Sequence, residues 1–363
     1  MEVDALPSKF EVGFNGMNVE YTVNREKGGL WMYDLEDVII GIDGGGTHTR
    51  VAVSDMQGTV LSYSEQGAAS INKDAGAVQN VRQAIVQALK AAGREPRHVK
   101  GVAAGIAGYD EEGDREWVEQ LTELEGLDCP KWHVNDAVVA HCGALLARPG
   151  IIVISGTGSI LLAINEKGEM IRNYDFHHYA ASAARFIAYD AVYEALARQT
   201  VPADAALIRS MLEHWEARSL EELWGIARNG FTADRRARDL RFGQFAPAVT
   251  EAALQGSPLA RKVCDRAIDE MMVGIEMLAA AFSRDAVTVA FIGSVVGSPY
   301  FANRLNERLK QGTVKKYEAV TPQFSPVLGA VLMARQRLML PVDNEVIANL
   351  NRWQRLQAGQ WSS

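Results

Sequence analysis

A glycine-rich stretch near the start of the chain combines backbone N–H groups that could bind an anion with a carboxylate that could help to bind a cation. Residues 41–49 read GIDGGGTHT. Glycines lack a Cβ atom, so their N–H groups can converge on a phosphate at little steric cost. Asp43 precedes them and could hold water ligands of Mg²⁺, an ion that keeps most of its hydration shell. The residues that we predict to bind phosphate here are Gly44, Gly45, Gly46, Thr47 and Thr49.

A tight hairpin without a ligand is the alternative for this stretch, and a second stretch of the same kind weakens that alternative. Residues 155–159 read SGTGS, again with glycines between hydroxyl side chains. Two such loops in one chain are hard to explain by turn chemistry alone, so a phosphate chain is the predicted ligand. The residues that we predict to bind phosphate in the second loop are Gly156, Thr157, Gly158 and Ser159.

Each loop joins two predicted strands. Buried or alternating runs at 38–43 and 50–55 flank the first loop, and a strand at 151–159 ends in the second loop before another at 161–164. A Rossmann or Walker loop instead leads from a strand into a helix, and the Walker lysine is missing here. The weak internal repeat suggests two related domains that face each other and each give one loop to a shared cleft.

Strands and helices alternate along much of the chain, which predicts a mixed α/β fold. A third glycine–serine stretch, IGSVVGS at 292–298, ends a strand and enters a helix. It could form a flat floor under a nucleotide base, and a plain strand–helix turn is the alternative. The residues that we predict to contact adenosine are Gly293, Ser294, Gly297 and Ser298.

Composition limits the class of protein. The 363 residues suffice for two domains, and a hydrophobic content of 48% can supply a sizeable core. The formal net charge of −8 argues against nucleic-acid binding, which normally requires a basic face. The three cysteines match no metal or disulfide spacing, which favours a reduced, cytoplasmic setting. No apolar run reaches the roughly 18 residues of a membrane span, and the N-terminus lacks the features of a signal peptide.

The first 37 residues differ from the rest, because they are polar, dotted with glycine and without clear periodicity. We expect residues 1–37 to form an irregular arm. Met32 would be a natural start for the folded unit. We therefore interpret residues 1–31 as either a disordered arm or an over-extended gene start.

Over residues 38–340 the motifs, in order, resemble the sugar kinase and actin superfamily, and within it the BadF/BadG/BcrA/BcrD ATPase and N-acetylglucosamine kinase family. The first loop resembles that family's aspartate–triple-glycine loop, with His48 in place of a lysine. The second loop resembles its second phosphate loop, and 292–298 its adenosine loop. The supporting motifs are GIAGYD (105–110), VNDA (134–137) and FSPVLGAVLMA (324–334).

The resemblance implies two actin-like, ribonuclease H-like domains with a nucleotide cleft between them. We expect the first at 38–148, joined by 325–363, and the second at 149–324. It also implies ATP and Mg²⁺ as cofactors and a sugar hydroxyl as phosphate acceptor. Asp136 would be the general base, although it could instead cap the following helix. Asn72 would bind a sugar hydroxyl, or it is an ordinary loop asparagine.

One segment departs from the family pattern. The family has a glycine-rich, acidic run after the second loop, whereas this chain has IRNYDFHHYAASAARFIAYDAV at 171–192. The family's acidic residue falls on Ala180 or Ala181 and its tryptophan near Tyr174. Because alanine favours helix, we expect the helix that follows to extend towards its N-terminus. Asp175, His177 or His178 could replace the lost contacts, although adjacent histidines on a loop can also be merely solvated. We predict that Tyr174 and Asp175 contact the substrate.

These observations predict an ATP-dependent sugar kinase that phosphorylates an amino sugar such as N-acetylglucosamine at its 6-hydroxyl. The alternative is a regulatory ATP-binding protein of the same family whose sugar site is lost or altered. We expect a small-molecule sugar partner, no nucleic acid and no membrane, and the resemblance is compatible with a homodimer. A dehydratase activator with an iron–sulfur cluster is disfavoured, because Cys129 precedes Pro130 at the start of a predicted strand and Cys142 lies within a predicted helix, so neither lies in a cluster-binding cysteine–glycine loop.

Overall fold

The computed structural model describes residues 10–14, 17–21, 34–197 and 200–360, without the side chains of the first two ranges and of 358–360. The first two strands, β1 (Phe10–Phe14) and β2 (Met17–Tyr21), pair antiparallel. These strands lie within residues 1–37, which we expected to be irregular, so the expectation is wrong for the paired residues. The other positions covered by the hypothesis about residues 1–31 lie outside the described residues.

Two five-stranded sheets organise the rest of the chain, one in each of two compact units. Unit 1 comprises the chain up to Arg148, Lys167–Glu169 and the chain from Pro322 onward; unit 2 comprises Pro149–Glu166 and Met170–Thr321. The strands of unit 1 are β3 (Val38–Gly44), β4 (Thr49–Asp55), β5 (Val60–Gln66), β6 (Val99–Ile106) and β7 (Lys131–Asn135). Those of unit 2 are β8 (Gly150–Ser155), β9 (Ser159–Ile164), β10 (Met170–Arg172), β11 (Ala286–Ile292) and β12 (Lys316–Val320).

The two sheets share one topology. Their strand orders are β5-β4-β3-β6-β7 and β10-β9-β8-β11-β12. In each sheet three consecutive strands form an antiparallel meander, and the last two strands join parallel to the first strand of that meander. The weak sequence repeat therefore corresponds to a structural repeat, as expected for two actin-like domains.

Helices cover the sheets. In unit 1 they are α1 (Ala77–Ala91), α2 (Arg115–Leu121), α3 (Asp136–Leu145), α10 (Pro326–Arg337) and α11 (Asn344–Gln360). In unit 2 they are α4 (Ala184–Leu196), α5 (Ala205–His214), α6 (Leu220–Arg228), α7 (Arg235–Gln255), α8 (Pro258–Ala279) and α9 (Pro299–Leu309). Among the residues that the structure describes, no helix is long and apolar enough to cross a membrane.

Glycines let α3 and α10 pack closely in unit 1. A Cβ atom on Gly329 would lie 2.0 Å from the carbonyl oxygen of Val139, and one on Gly143 would lie 2.7 Å from that of Ser325. Gly41 on β3 is equally tight, because its Cβ would lie 2.6 Å from the backbone nitrogen of Val331. The glycine of the FSPVLGA motif therefore serves helix packing.

Candidate functional site

The first glycine loop is the tip of the β3–β4 hairpin, as predicted. The N–H of Gly45 donates to the carbonyl oxygen of His48 at 2.8 Å, and the Gly45 carbonyl accepts from Ala69 at 3.0 Å. Gly46 and Thr47 are exposed, and within the described residues neither of their N–H groups donates to a backbone carbonyl. The loop is thus held by Gly45 while two N–H groups at its tip are available to an anion.

Two residues of this loop, Gly44 and Thr49, make contacts within the protein rather than at the exposed tip. Gly44 is buried, and a Cβ there would lie 2.7 Å from the Cβ of Ala69. Thr49 is completely buried, and its hydroxyl donates to the carbonyl oxygen of Gly67 at 2.8 Å. The prediction that the Thr49 hydroxyl binds phosphate is therefore wrong, since the hydroxyl anchors the hairpin to the chain that follows β5.

The second loop, at the tip of the β8–β9 hairpin, is anchored in the same way. The N–H of Gly156 donates to the carbonyl oxygen of Gly158 at 2.9 Å, and the Gly156 carbonyl accepts from Ala184 at 2.8 Å. The Ser159 hydroxyl donates to the carbonyl oxygen of Ala180 at 3.1 Å. Ser159 therefore anchors its loop as Thr49 anchors the first loop, whereas we had predicted that its hydroxyl donates to phosphate. Thr157 and Gly158 remain exposed at the tip.

These anchors explain why the helical extension that we expected before α4 is absent. The carbonyl oxygens of Ala180 and Ser182 accept from the hydroxyls of Ser159 and Ser155, at 3.1 and 2.5 Å. Ala183 is extended, with φ −65° and ψ 150°, and α4 begins at Ala184. The prediction was wrong because these tertiary hydrogen bonds override the helical preference of the alanines.

The third glycine–serine stretch is fastened to the second loop. Gly293 has φ +115°, and a Cβ there would lie 2.3 Å from the carbonyl oxygen of Ser155. The same carbonyl accepts from the N–H of Val295 at 3.1 Å. Gly293, Ser294 and Gly297 are exposed on one side, whereas the Ser298 hydroxyl donates to the Val295 carbonyl at 2.7 Å. Three of the four predicted adenosine contacts therefore face outward beside the second loop.

Asp136 stands at the head of α3 in unit 1, but it does not cap that helix. Asn135 is the N-cap, because its side-chain oxygen accepts from the N–H of Ala137 at 2.9 Å. The Asn135 amide also donates to Asp110 at 3.0 Å, which fixes the turn after β6 against the end of β7. The alternative role of Asp136 as the helix cap is therefore excluded.

The surroundings of Asp136 disfavour its charged form. Burial raises its pKa from 3.8 to about 7, and the nearby charge of Asp43 adds to the effect, with a smaller contribution from Asp110. The N–H of Ala137 opposes the rise. A carboxyl group that titrates near neutrality is suited to accept and release a proton.

Asp43 lies near the carboxyl end of β3 and is only 7% exposed. Burial raises its pKa, and Arg50 opposes the rise from the opposite position on β4, with Nη1 3.3 Å from Oδ2. Arg50 in turn contacts Glu65 at 3.3 Å, and His48 contacts Glu65 at 2.9 Å. The sequence analysis missed this row of charges, although the alternation along β4 was a usable signal. Oδ1 of Asp43 is not used by Arg50, so the residue fits a water-mediated contact to Mg²⁺.

Asn72 lies beside the turn of the GIAGYD motif. Its amide nitrogen is 3.9 Å from the position of a Cβ on Gly108, which has φ +87°. The turn continues to Asp110, the partner of Asn135. Asn72 is therefore on the same edge of the unit 1 sheet as Asp136, beyond the carboxyl ends of β6 and β7.

Tyr174 and Asp175 have local partners in unit 2. The Tyr174 hydroxyl donates to the carbonyl oxygen of Ser159, and Asp175 accepts from the backbone and guanidinium of Arg172 at 2.8 and 2.9 Å. In this structure both residues build the segment beside the second loop, and their contact with a substrate stays a prediction. Asn173, which the sequence analysis missed, is buried there and accepts from the N–H of Leu161 at 3.0 Å.

Paired five-stranded sheets of one topology, each with a glycine–hydroxyl hairpin, are the architecture of two actin-like domains. The model of the BadF/BadG/BcrA/BcrD ATPase family matches residues 40–198 of this chain. The resemblance inferred from the motifs is thereby confirmed.

Relatives and solved structures agree with this assignment. The chain is 25% identical over 305 residues to an N-acetylmuramic acid/N-acetylglucosamine kinase of Clostridium acetobutylicum, which covers 82% of this chain and 98% of the relative. A crystal structure of a putative N-acetylglucosamine kinase from Chromobacterium violaceum matches with a TM-score of 0.65 and 23% identity, over 83% of this chain and all of that one. A glucokinase of the ROK family from Streptomyces griseus, solved with glucose and AMPPNP, matches with a TM-score of 0.53 and 19% identity, over 82% and 98%. At these identities the structures support the fold alone.

Proposed function

We propose that this protein is an ATP-dependent kinase that transfers the γ-phosphate to a sugar hydroxyl. The proposal rests mainly on Asp136. Asn135 caps α3, so the Asp136 carboxyl group is not needed as the helix cap, and its pKa is raised to about 7. The family of the chain and the kinases among its relatives support the same conclusion.

In this proposal Asp136 accepts the proton of the sugar hydroxyl while the hydroxyl oxygen bonds to the γ-phosphorus. The bond from that phosphorus to the bridging oxygen of ADP breaks in the same step, and ADP leaves. Asn72 orients the sugar beside Asp136. Asp43 would hold water ligands of Mg²⁺, and that ion would neutralise phosphate charge when bound.

We assign nucleotide binding to the exposed parts of the loops. Gly46 and Thr47 in unit 1, and Thr157 and Gly158 in unit 2, would donate N–H groups to phosphate oxygens, and the two threonines would add their hydroxyls. Gly293, Ser294 and Gly297 would contact adenosine. We also propose that the two actin-like domains comprise residues 38–148 with 325–363, and residues 149–324.

We propose an amino sugar, with N-acetylglucosamine as the first candidate, because relatives of this chain are named for that activity. A regulatory ATP-binding protein is the second candidate. It is favoured by one observation. The family's acidic residue falls on Ala180 or Ala181 of this chain, and Ala180 is buried against the second loop.

The deciding experiment measures ADP release from Mg·ATP with a panel of sugars that includes N-acetylglucosamine, N-acetylmuramic acid and glucosamine. ATP binding is measured on the same preparation by calorimetry. We expect release to be stimulated by one sugar, and to fall by about 10²–10⁴-fold in Asp136→Asn with ATP affinity retained. ATP binding without stimulation by any sugar would favour the regulatory protein, and unchanged turnover in the variant would reject Asp136 as the base.

A further inference from the structure

A guanidinium group lies on the second phosphate loop. Arg185, the second residue of α4, donates from Nη1 to the carbonyl oxygen of Thr157 at 2.9 Å. Its side chain is 31% exposed, and Thr157 is exposed at the tip of the loop. The cation is therefore both held by the loop and open to solvent beside it.

The other contacts of this guanidinium leave most of its donors unused. Nε of Arg185 lies 3.8 Å from a carboxylate oxygen of Asp239, which is too long for a hydrogen bond. The other oxygen of Asp239 accepts from the Tyr189 hydroxyl at 3.2 Å. The plane of the group rests on Phe186, with 4.2 Å between Cζ and the ring centroid. This stacking fixes the orientation without neutralising the charge.

A second arginine beside the same helix shows the difference. Arg266 donates to Asp190 at 3.2 Å and to Glu194 at 2.8 Å, so two carboxylates of α4 neutralise it at short range. Arg185 has no carboxylate within hydrogen-bonding distance among the described residues. The chain has a net charge of −8, and yet this guanidinium next to a glycine loop has no hydrogen-bonded carboxylate among the described residues. Such a cation points to an anionic ligand.

The loop itself offers further donors at this place. Among the described residues, the N–H groups of Thr157 and Gly158 donate to no backbone carbonyl. A planar guanidinium with several N–H groups matches phosphate oxygens in a bidentate geometry. We propose that Arg185 is a nucleotide-binding residue that contacts the phosphate chain together with these two N–H groups. This inference rests on the proposed function and supplies a cation to a site whose loops contain no lysine.

Calorimetric titration with Mg·ATP, Mg·ADP and adenosine tests the proposal on the full chain. We expect Arg185→Gln to weaken ATP binding about 10- to 100-fold, as for the loss of a charged hydrogen bond, with adenosine binding changed by less than about two-fold. Arg185→Lys should recover part of the ATP affinity, because it keeps the charge. Arg266→Gln is the matched control and should leave all three affinities unchanged.

Asp239→Asn separates a phosphate contact from mere support of the loop. Removal of the nearest carboxylate should strengthen ATP binding about two- to five-fold if the guanidinium faces phosphate. If Arg185→Gln weakens the affinities for ATP and adenosine equally, or weakens neither, the proposal for Arg185 is wrong. ATP binding by the wild type would in that case still be consistent with the proposed kinase. Absence of ATP binding in the wild type would reject the kinase and this inference together.

Discussion

The backbone N–H of Ala184 donates to the carbonyl oxygen of Gly156 at 2.8 Å, so the N-terminal end of α4 is joined to the second glycine loop. The N–H of Ala69 makes the equivalent bond to Gly45 in the first loop, at 3.0 Å. Each loop is thus shaped by the segment that follows its hairpin. Residues that anchor a loop and residues that face a ligand can therefore be separated by mutation.

The two threonines of the first loop should respond in opposite ways. Thr49→Val removes a buried hydroxyl that donates to the partly buried Gly67 carbonyl and should lower the free energy of unfolding by about 1–2 kcal/mol. Thr47→Val, at the exposed tip, should leave stability unchanged and weaken ATP binding. Urea denaturation and nucleotide titration of both variants measure the contrast. Equal stability of the two variants would contradict the assigned anchor.

Gly293→Ala should damage the adenosine segment. The new Cβ would lie 2.3 Å from the Ser155 carbonyl oxygen at a φ of +115°, so we expect a loss of about 2–4 kcal/mol in unfolding free energy. Gly158→Ala is the control, because a Cβ there meets nothing within 4 Å. Thermal unfolding of both variants gives the comparison. A stable Gly293→Ala protein would show that the turn can relax.

The rate of sugar phosphorylation should depend on the ionisation of Asp136. A general base must be deprotonated, and the pKa of Asp136 is raised to about 7. We therefore expect kcat/KM to rise with pH through about 7 and to level off above it. Initial rates at saturating Mg·ATP between pH 5.5 and 9, chosen to bracket that pKa, measure the profile. A flat profile across this range would exclude Asp136 as the titrating base.

The same pKa predicts an effect on stability. Because folding raises the pKa of Asp136 above 3.8, the group favours the folded state only while it is protonated, and that contribution disappears as pH rises through about 7. Asp136→Asn stays neutral, so at pH above 7 it should be more stable than the wild type. Asp136 is partly exposed, so we expect about 1–2 kcal/mol, less than the full linkage value. Denaturation at low and high pH compares the two proteins.

The hairpin loops could be predicted from sequence because both of their signals are local. Glycines follow a buried strand, and an alternating strand comes next. The roles of Thr49 and Ser159 could not be predicted in this way. Their hydroxyls bond to Gly67 and Ala180, which lie 18 and 21 residues further along the chain. No short pattern encodes a partner at such a distance.

The missing helical extension, and one helix that the sequence analysis did not predict, have the same origin in tertiary structure. Ala183 stays extended before α4 because serine hydroxyls bond to the carbonyl oxygens of Ala180 and Ser182 just ahead of it. The polar tail after Pro341 forms α11, where Leu350 is buried and the ring of Trp353 lies 5.5 Å from that of Tyr63 on β5. A few well-placed apolar contacts suffice to order a helix whose sequence is mostly polar.

The chain order of unit 1 has a consequence for synthesis on the ribosome. Strand β3 and helix α3 emerge early, yet α10, which packs on both through Gly41, Gly143 and Gly329, emerges near the end. Unit 2 is complete once residue 321 has left the exit tunnel. We therefore expect the inserted half to reach its native state first. Before α10 and α11 have been synthesised, the face of β3 that packs against α10 is exposed to solvent. Nascent chains that stall before residue 326 should therefore be the most prone to aggregate.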